Sequence, residues 1–105
     1  MNEIYEIVQL VTGETYLFIG GYKEEADIKD VFKFDVKQHQ GSGHFTYDFA
    51  RFDFNPLTPL ENSKIRLNRS AIILAWFINP NTDLIRNLKK TIVKMDVAKS
   101  GLIIP

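Results

Sequence analysis

Side chains able to do chemistry are few in this chain, and they stand apart from one another. His39 and His44 flank the turn Gly41-Ser42-Gly43 and can approach each other across a hairpin. Two imidazoles without a third ligand at a turn or helical spacing are an incomplete zinc set, so no metal is expected. Ser42, Ser63, Ser70 and Ser100 occupy no nucleophile-elbow context. Gly20-Gly21 and Gly41-Ser42-Gly43 lack the lysine and the strand-to-helix setting of a phosphate loop. Asp48 and Asp53 fall on opposite faces of an undistorted strand, which gives no acid–base pair. Neither catalysis nor a cofactor is expected. The polar corner Asn68-Arg69-Ser70 is different, because it sets an amide beside a guanidinium, groups suited to base edges or phosphate. A surface hairpin turn accounts for the same three residues.

The corner must be positioned by its flanks, residues 64–79. They read as a short alternating strand, the corner itself, and then the most apolar run of the chain, residues 71–78. Charge divides at the same place. Residues 1–63 hold five basic side chains against eleven acidic, a balance of −6, and residues 64–105 hold eight against two, a balance of +6. Such asymmetry marks either a basic binding face or head-to-tail matching between subunits. Acids on solvated loops would produce it as well.

Residues 4–11 and 15–22 are strand-prone, and Thr12-Gly13-Glu14 between them is a hairpin signal. Gly20-Gly21 permits a bend or bulge at the end of the second strand. Residues 23–30 are charged and read as an exposed loop, with a single helical turn as the alternative. Residues 31–37 alternate cleanly, with Phe32, Phe34 and Val36 facing one way and Lys33, Asp35 and Lys37 the other. Phe45, Tyr47 and Phe49 alternate in the next strand, but Phe52 and Phe54 change parity, which predicts a bulge near Ala50-Arg51. After Asn79, the cap-type residues Asn81, Thr82 and Asp83 open a helix over about 81–98. Leu84, Leu88, Ile92 and Met95 form its apolar stripe, and Lys89, Lys90 and Lys94 suit its C-terminal half. An apolar tail, 101–105, follows.

With 105 residues and 45% hydrophobic content the chain suits one domain with a modest core. It has no cysteine, which removes disulfides and thiolate metal sites. The first residues carry no basic and apolar leader pattern, and 71–78 is too short to cross a bilayer, so a cytoplasmic protein without a membrane partner is expected. Aromatic residues make up 12% of the chain, crowded into 32–54. They suit either a base-stacking platform or the bulky core of a small barrel, and the acidic residues between them favour the core.

Five strands, a tight turn before the last, and one helix give an order that resembles the Sm-like (LSm) family. Residues 8–14, Val-Gln-Leu-Val-Thr-Gly-Glu, look like the first half of the Sm motif. Residues 65–72, Ile-Arg-Leu-Asn-Arg-Ser-Ala-Ile, are similar in layout to the second half, with an aliphatic strand reaching an arginine-containing corner. The likeness is greatest to the divergent Sm-like proteins of cyanophages, predicted RNA binders, and covers 4–79. It implies a mostly β fold: a small, five-stranded, strongly bent Sm-like (SH3-like) barrel over about 4–79, with the helix following it. It also implies a homo-oligomeric ring that binds single-stranded RNA, in the host cytoplasm if the chain is of phage origin. By position Asn68, Arg69 and Ser70 carry over as the RNA-facing turn, with Tyr22 and Lys29 as further loop candidates. The apolar run supplies the subunit edge through Ala71, Ile73, Ala75 and Phe77. A ring that has lost RNA binding is the alternative, which the acidic first half favours.

Overall fold

The computed structural model describes residues 3–51 and 64–99. Its elements run β1 (Tyr5–Leu10), β2 (Thr15–Ile19), β3 (Glu25–Asp27), β4 (Val31–Gln38), β5 (Phe45–Arg51), β6 (Lys64–Arg66), β7 (Ile72–Ile78) and α1 (Asp83–Lys99). The fold is mostly β with one C-terminal helix. Five strands form an antiparallel sheet in the order β5-β4-β2-β1-β7, and β3 pairs with β6 in a separate two-stranded ribbon. The expected closed barrel is therefore not what the described residues form. Both end strands of the sheet, β5 and β7, have one neighbour each among them.

Local chemistry explains most of the elements. Gly13 takes φ +93 in the β1–β2 turn, and Leu10 N–H donates to the Glu14 carbonyl at 2.9 Å to close it. The pairing then sets Ile7 opposite Leu17 and, in the next pair of strands, Leu17 opposite Phe32. These three residues share a face, and α1 lies over it. Leu84, Ile85 and Leu88 of the helix are buried among Tyr5, Ile7, Leu17, Phe32 and Phe34. Each such side chain contributes roughly 1.5–3 kcal/mol by leaving water, enough to dock a helix whose outward side carries exposed Lys89, Lys90 and Lys94. The Thr82 hydroxyl caps it, accepting from Ile85 N–H at 3.5 Å, and Asp83 puts a carboxylate in the first turn.

The opposite face carries a second cluster, Val8, Phe18, Ala26 and Val31, with Tyr16, Tyr22, Ile65, Leu67 and Ile72 against it. This cluster is why residues 23–30 are not a plain loop. Ala26 and Ile28 are buried, and Glu25 and Asp27 stand opposite Arg66 and Lys64 in the ribbon. Two cross-strand charge pairs flanking an apolar pair hold a three-residue strand that its own sequence does not suggest. The glycines at 20 and 21, φ +90 and +93, turn the chain out of the sheet toward this ribbon, as the sequence anticipates.

The bulge expected near Ala50-Arg51 is not seen within the described residues. β5 keeps register with β4 through Phe32 opposite Arg51, and Phe52 and Phe54 lie outside them. A bulge occurs elsewhere. The β1–β7 register shifts between Gln9 and Leu10, whose partners are Leu74 and Ile72, so Ile73 is the extra residue. The apolar tail at 101–105 also lies outside the described residues. Among those residues, no helix is long and apolar enough to cross a membrane.

Tyr5 and Tyr16 tie the two faces to measurable ionisation. Burial, then a hydrogen bond to Glu3, pushes the Tyr5 phenol up to about 12. Burial, then a hydrogen bond to Glu14 at 3.0 Å, does the same for Tyr16. A phenol near 10 in the unfolded chain then loses its proton before the folded one does. Stability is complete below pH about 10 and falls as the pH rises toward 12. A near-ultraviolet tyrosinate titration is expected to show both late steps, with Tyr5→Phe and Tyr16→Phe each removing one.

Candidate functional site

The corner folds as a single 3-10 turn, Arg69–Ala71, because Asn68 caps it. The Asn68 side-chain oxygen accepts from Ser70 N–H at 3.0 Å, and its backbone carbonyl accepts from Ala71 N–H at 3.0 Å. Asn68 is thus half structural. Its oxygen is committed to the turn, while its NH2 donors have no partner among the described residues. Ser70 is exposed and gives its backbone N–H to the cap.

Tyr22 is brought to the corner from 46 residues upstream of Asn68 by the Gly20-Gly21 bend. Its backbone N–H donates to Glu6 Oε1 at 2.8 Å and its hydroxyl donates to the Leu67 carbonyl. The ring meets Phe18 edge-on at 5.3 Å between centroids. The Arg69 guanidinium carbon lies 5.9 Å from the Tyr22 centroid, within cation–π range. Burial raises the Tyr22 pKa, Glu24 raises it further, and Arg69 opposes them. A base approaching this pair meets the guanidinium first, and an arginine plane is itself a stacking surface.

Beside the corner is a cleft of about 420 Å³ lined by Glu24, Glu25, Arg66, Leu67 and Asn68. Arg66 pairs with Glu25 at 3.8 Å, both side chains largely in water. The two carboxylates disfavour a phosphate inside the cleft but can accept from exocyclic amino groups, as on cytosine. Asn68 belongs to both the corner and the cleft, so the corner makes a polar rim on that side of it.

Lys29 is not part of it. It sits in the 3-10 turn Ile28–Asp30, beyond the end of the ribbon where Asp27 faces Lys64, whereas the corner adjoins the Glu25–Arg66 end. Its backbone N–H donates to Asp27 Oδ1 at 2.9 Å. Burial raises the Asp30 carboxyl pKa, neighbouring Asp27 adds to that, and Lys23 opposes it. The histidines meet across their hairpin by backbone, His39 N–H donating to the His44 carbonyl at 2.9 Å, while the His39 ring bonds the Thr46 hydroxyl. No group of three or more potential metal-ligating side chains occurs among the described residues.

β7 is the second candidate surface. Ile73, Ala75 and Phe77 are exposed on it, and Ala71 stands apart. Both backbone groups of Ala71 are spent within the chain, the carbonyl accepting from Val11 N–H at 2.9 Å, which ties the residue to its own first strand. Leu74 and Trp76 are exposed as well, at 55% and 44%, beside Ile73 at 55% and Phe77 at 67%. Alternation alone selects one face of this strand. The signal for the other was in the sequence too, since the run 72–78 has apolar residues at both parities. Compared with known proteins, the chain matches no family model, no curated protein and no solved structure.

Proposed function

We propose that this chain is a non-catalytic, Sm-like assembly module, working as a homo-oligomer whose subunits join head to tail through β7. One observation carries the reading. Among the described residues β7 is a seven-residue edge strand without a charge, and four of its large apolar side chains are open to water. Natural sheets protect such edges with lysine, proline or a covering element, because the unpaired backbone otherwise recruits another strand. A homo-oligomer supplies that cover, and a heterologous contact that closes by rotation gives a ring. The short β6, the 3-10 turn and the return of β7 against β1 support the Sm-like comparison. In this reading the sheet and ribbon are parts of one strongly bent barrel, and no cofactor takes part. Solution mass by light scattering tests it. A multiple of the 12.1 kDa chain is expected, and a monomer at micromolar concentration overturns it.

Single-stranded RNA at the Asn68-Arg69 rim is the ligand this reading assigns, favoured by the Arg69–Tyr22 pair. Arg69→Ala is expected to cost about 1–3 kcal/mol of binding and to lower the salt slope by about 0.7. Circular dichroism should stay unchanged, because Arg69 is exposed. Titration of labelled U-rich and A-rich oligomers at several salt concentrations checks both effects. An oligomer that binds neither at low salt is instead the assembly without RNA, which Glu24 and Glu25 beside the rim favour.

A further inference from the structure

The face of the sheet on which α1 packs is left open at one corner. β2 pairs with β4 only as far as Lys33, whereas β4 and β5 stay paired out to Gln38 opposite Phe45, so their hairpin projects as an arm. Register puts Phe32, Phe34 and Val36 of β4 with Phe45, Tyr47 and Phe49 of β5 on the helix-covered face. Phe34, Tyr47 and Phe49 belong to the packing under the helix, but Val36 and Phe45 are 48% and 52% exposed. The arm's Asp35, Lys37 and Asp48 point to its other face, where Lys37 pairs with Asp48 at 3.8 Å. The helix reaches this corner with its C-terminal end. It starts at the opposite edge of the sheet, because only residues 79–82 separate it from Ile78, the β7 residue opposite Tyr5. From there it crosses the strands to touch β5, and Ile92 and Met95 pack on the cluster that also holds Phe34, Tyr47 and Phe49. The dimensions agree, since 17 helical residues measure about 25 Å and five strands about 19 Å from first to last.

We propose that the stretch following the helix, Leu102-Ile103-Ile104, lies on this corner of its own chain and covers Val36 and Phe45. The contact is made within one molecule, so it holds whether or not copies associate. Its occupant is named by position, reach and chemistry. Lys99 is the last described residue, and Ser100-Gly101 after it breaks the helical pattern, the glycine allowing the chain to turn at little cost. Four residues, from Lys99 to Ile103, span up to about 14 Å when extended. Within the arm the distances are shorter. Val36 stands opposite Tyr47, which already packs under the helix, and Phe45 is two residues further along β5, about 7 Å. Three consecutive aliphatic side chains without a charge match a corner whose ions all face the other way. The exposed side chains of β7 are no alternative for this stretch, since they line the edge where the helix begins, about 19 Å across the sheet.

Disulfide trapping tests this directly, because the chain has no cysteine and an introduced pair reports one contact. Phe45→Cys is combined in turn with Leu102→Cys, Ile103→Cys and Ile104→Cys, and each full-length variant is oxidised under native conditions. Bridging requires the two Cα atoms to come within about 7 Å. At least one arm pair is expected to close within a single chain, giving a band that runs ahead of the reduced protein on a denaturing gel. Val93→Cys, on the exposed side of the helix, is combined with the same three and should stay reduced. Failure of all three arm pairs to close overturns the proposal. Equal closure of the Val93 pairs does so too, since the stretch is then held nowhere. A disulfide-linked dimer in place of the closed monomer also overturns it, and puts the stretch on a second copy. The unaltered chain supplies a second readout if a variant misfolds. Nuclear Overhauser contacts are expected between the Val36 methyls or the Phe45 ring and the methyls of residues 102–104, and an assigned spectrum with none of them overturns the contact.

Discussion

Replacing Leu88 by alanine is expected to remove about 2–5 kcal/mol from the stability of the fold. Leu88 is fully buried between the helix and the sheet, with Tyr5, Ile7, Leu17, Phe32 and Phe34 in the same cluster. The substitution withdraws three carbons from that cluster and leaves a cavity that a sheet on one side and a helix on the other can only partly close. Domains of this size are stable by roughly 5–15 kcal/mol, so the loss is a large share of the whole. Val93→Ala is the internal control. Val93 is 63% exposed on the same helix, and its truncation should stay within about 0.5 kcal/mol. Urea denaturation of the three proteins at one concentration separates the cases. A Leu88 variant as stable as the Val93 variant would mean the helix is not docked as described.

The stripe that made this helix readable also shows what the sequence could tell and what it could not. Leu84, Leu88, Ile92 and Met95 repeat at helical spacing, and strong local periodicity fixes an element without reference to the rest of the chain. The same holds for β4, whose alternation places Phe32 and Phe34 inward. Glu25-Ala26-Asp27 is the opposite case. Its charges suggest solvent, and only Lys64 and Arg66, nearly forty residues on, turn it into a strand. Non-local pairing of that kind leaves no trace in a short window. The corner was legible as a turn from Asn68 onward, but its neighbour Tyr22 was marked only weakly, because the bend at Gly20-Gly21 and the Glu6 anchor act across distant segments. Where Lys29 stands relative to the corner was hidden for the same reason, since it depends on the direction of the ribbon.

β7 carries the proposed seam, and the largest effect on assembly is expected there. Leu74→Lys with Phe77→Lys puts one cation on each face of the strand, because Leu74 pairs with Gln9 and Phe77 with Glu6. Both positions are more than half exposed in the single chain, so neither ammonium is buried by folding. In a seam the cation at 74 would lose its water with only Gln9 opposite it, a cost of several kcal/mol, while the one at 77 would have Glu6 across the ladder. Lysine on an edge is also the device by which natural sheets refuse a further strand. The double variant is therefore expected to remain folded and to scatter light as a 12.1 kDa monomer at concentrations where the proposed seam would make the parent chain oligomeric. Thermal melting adds an independent check, since association that stabilises only the folded state makes the midpoint rise with protein concentration. That rise should be present for the parent chain and absent for the variant. If both melt with the same concentration dependence, the subunits join through some other surface and β7 is not the seam.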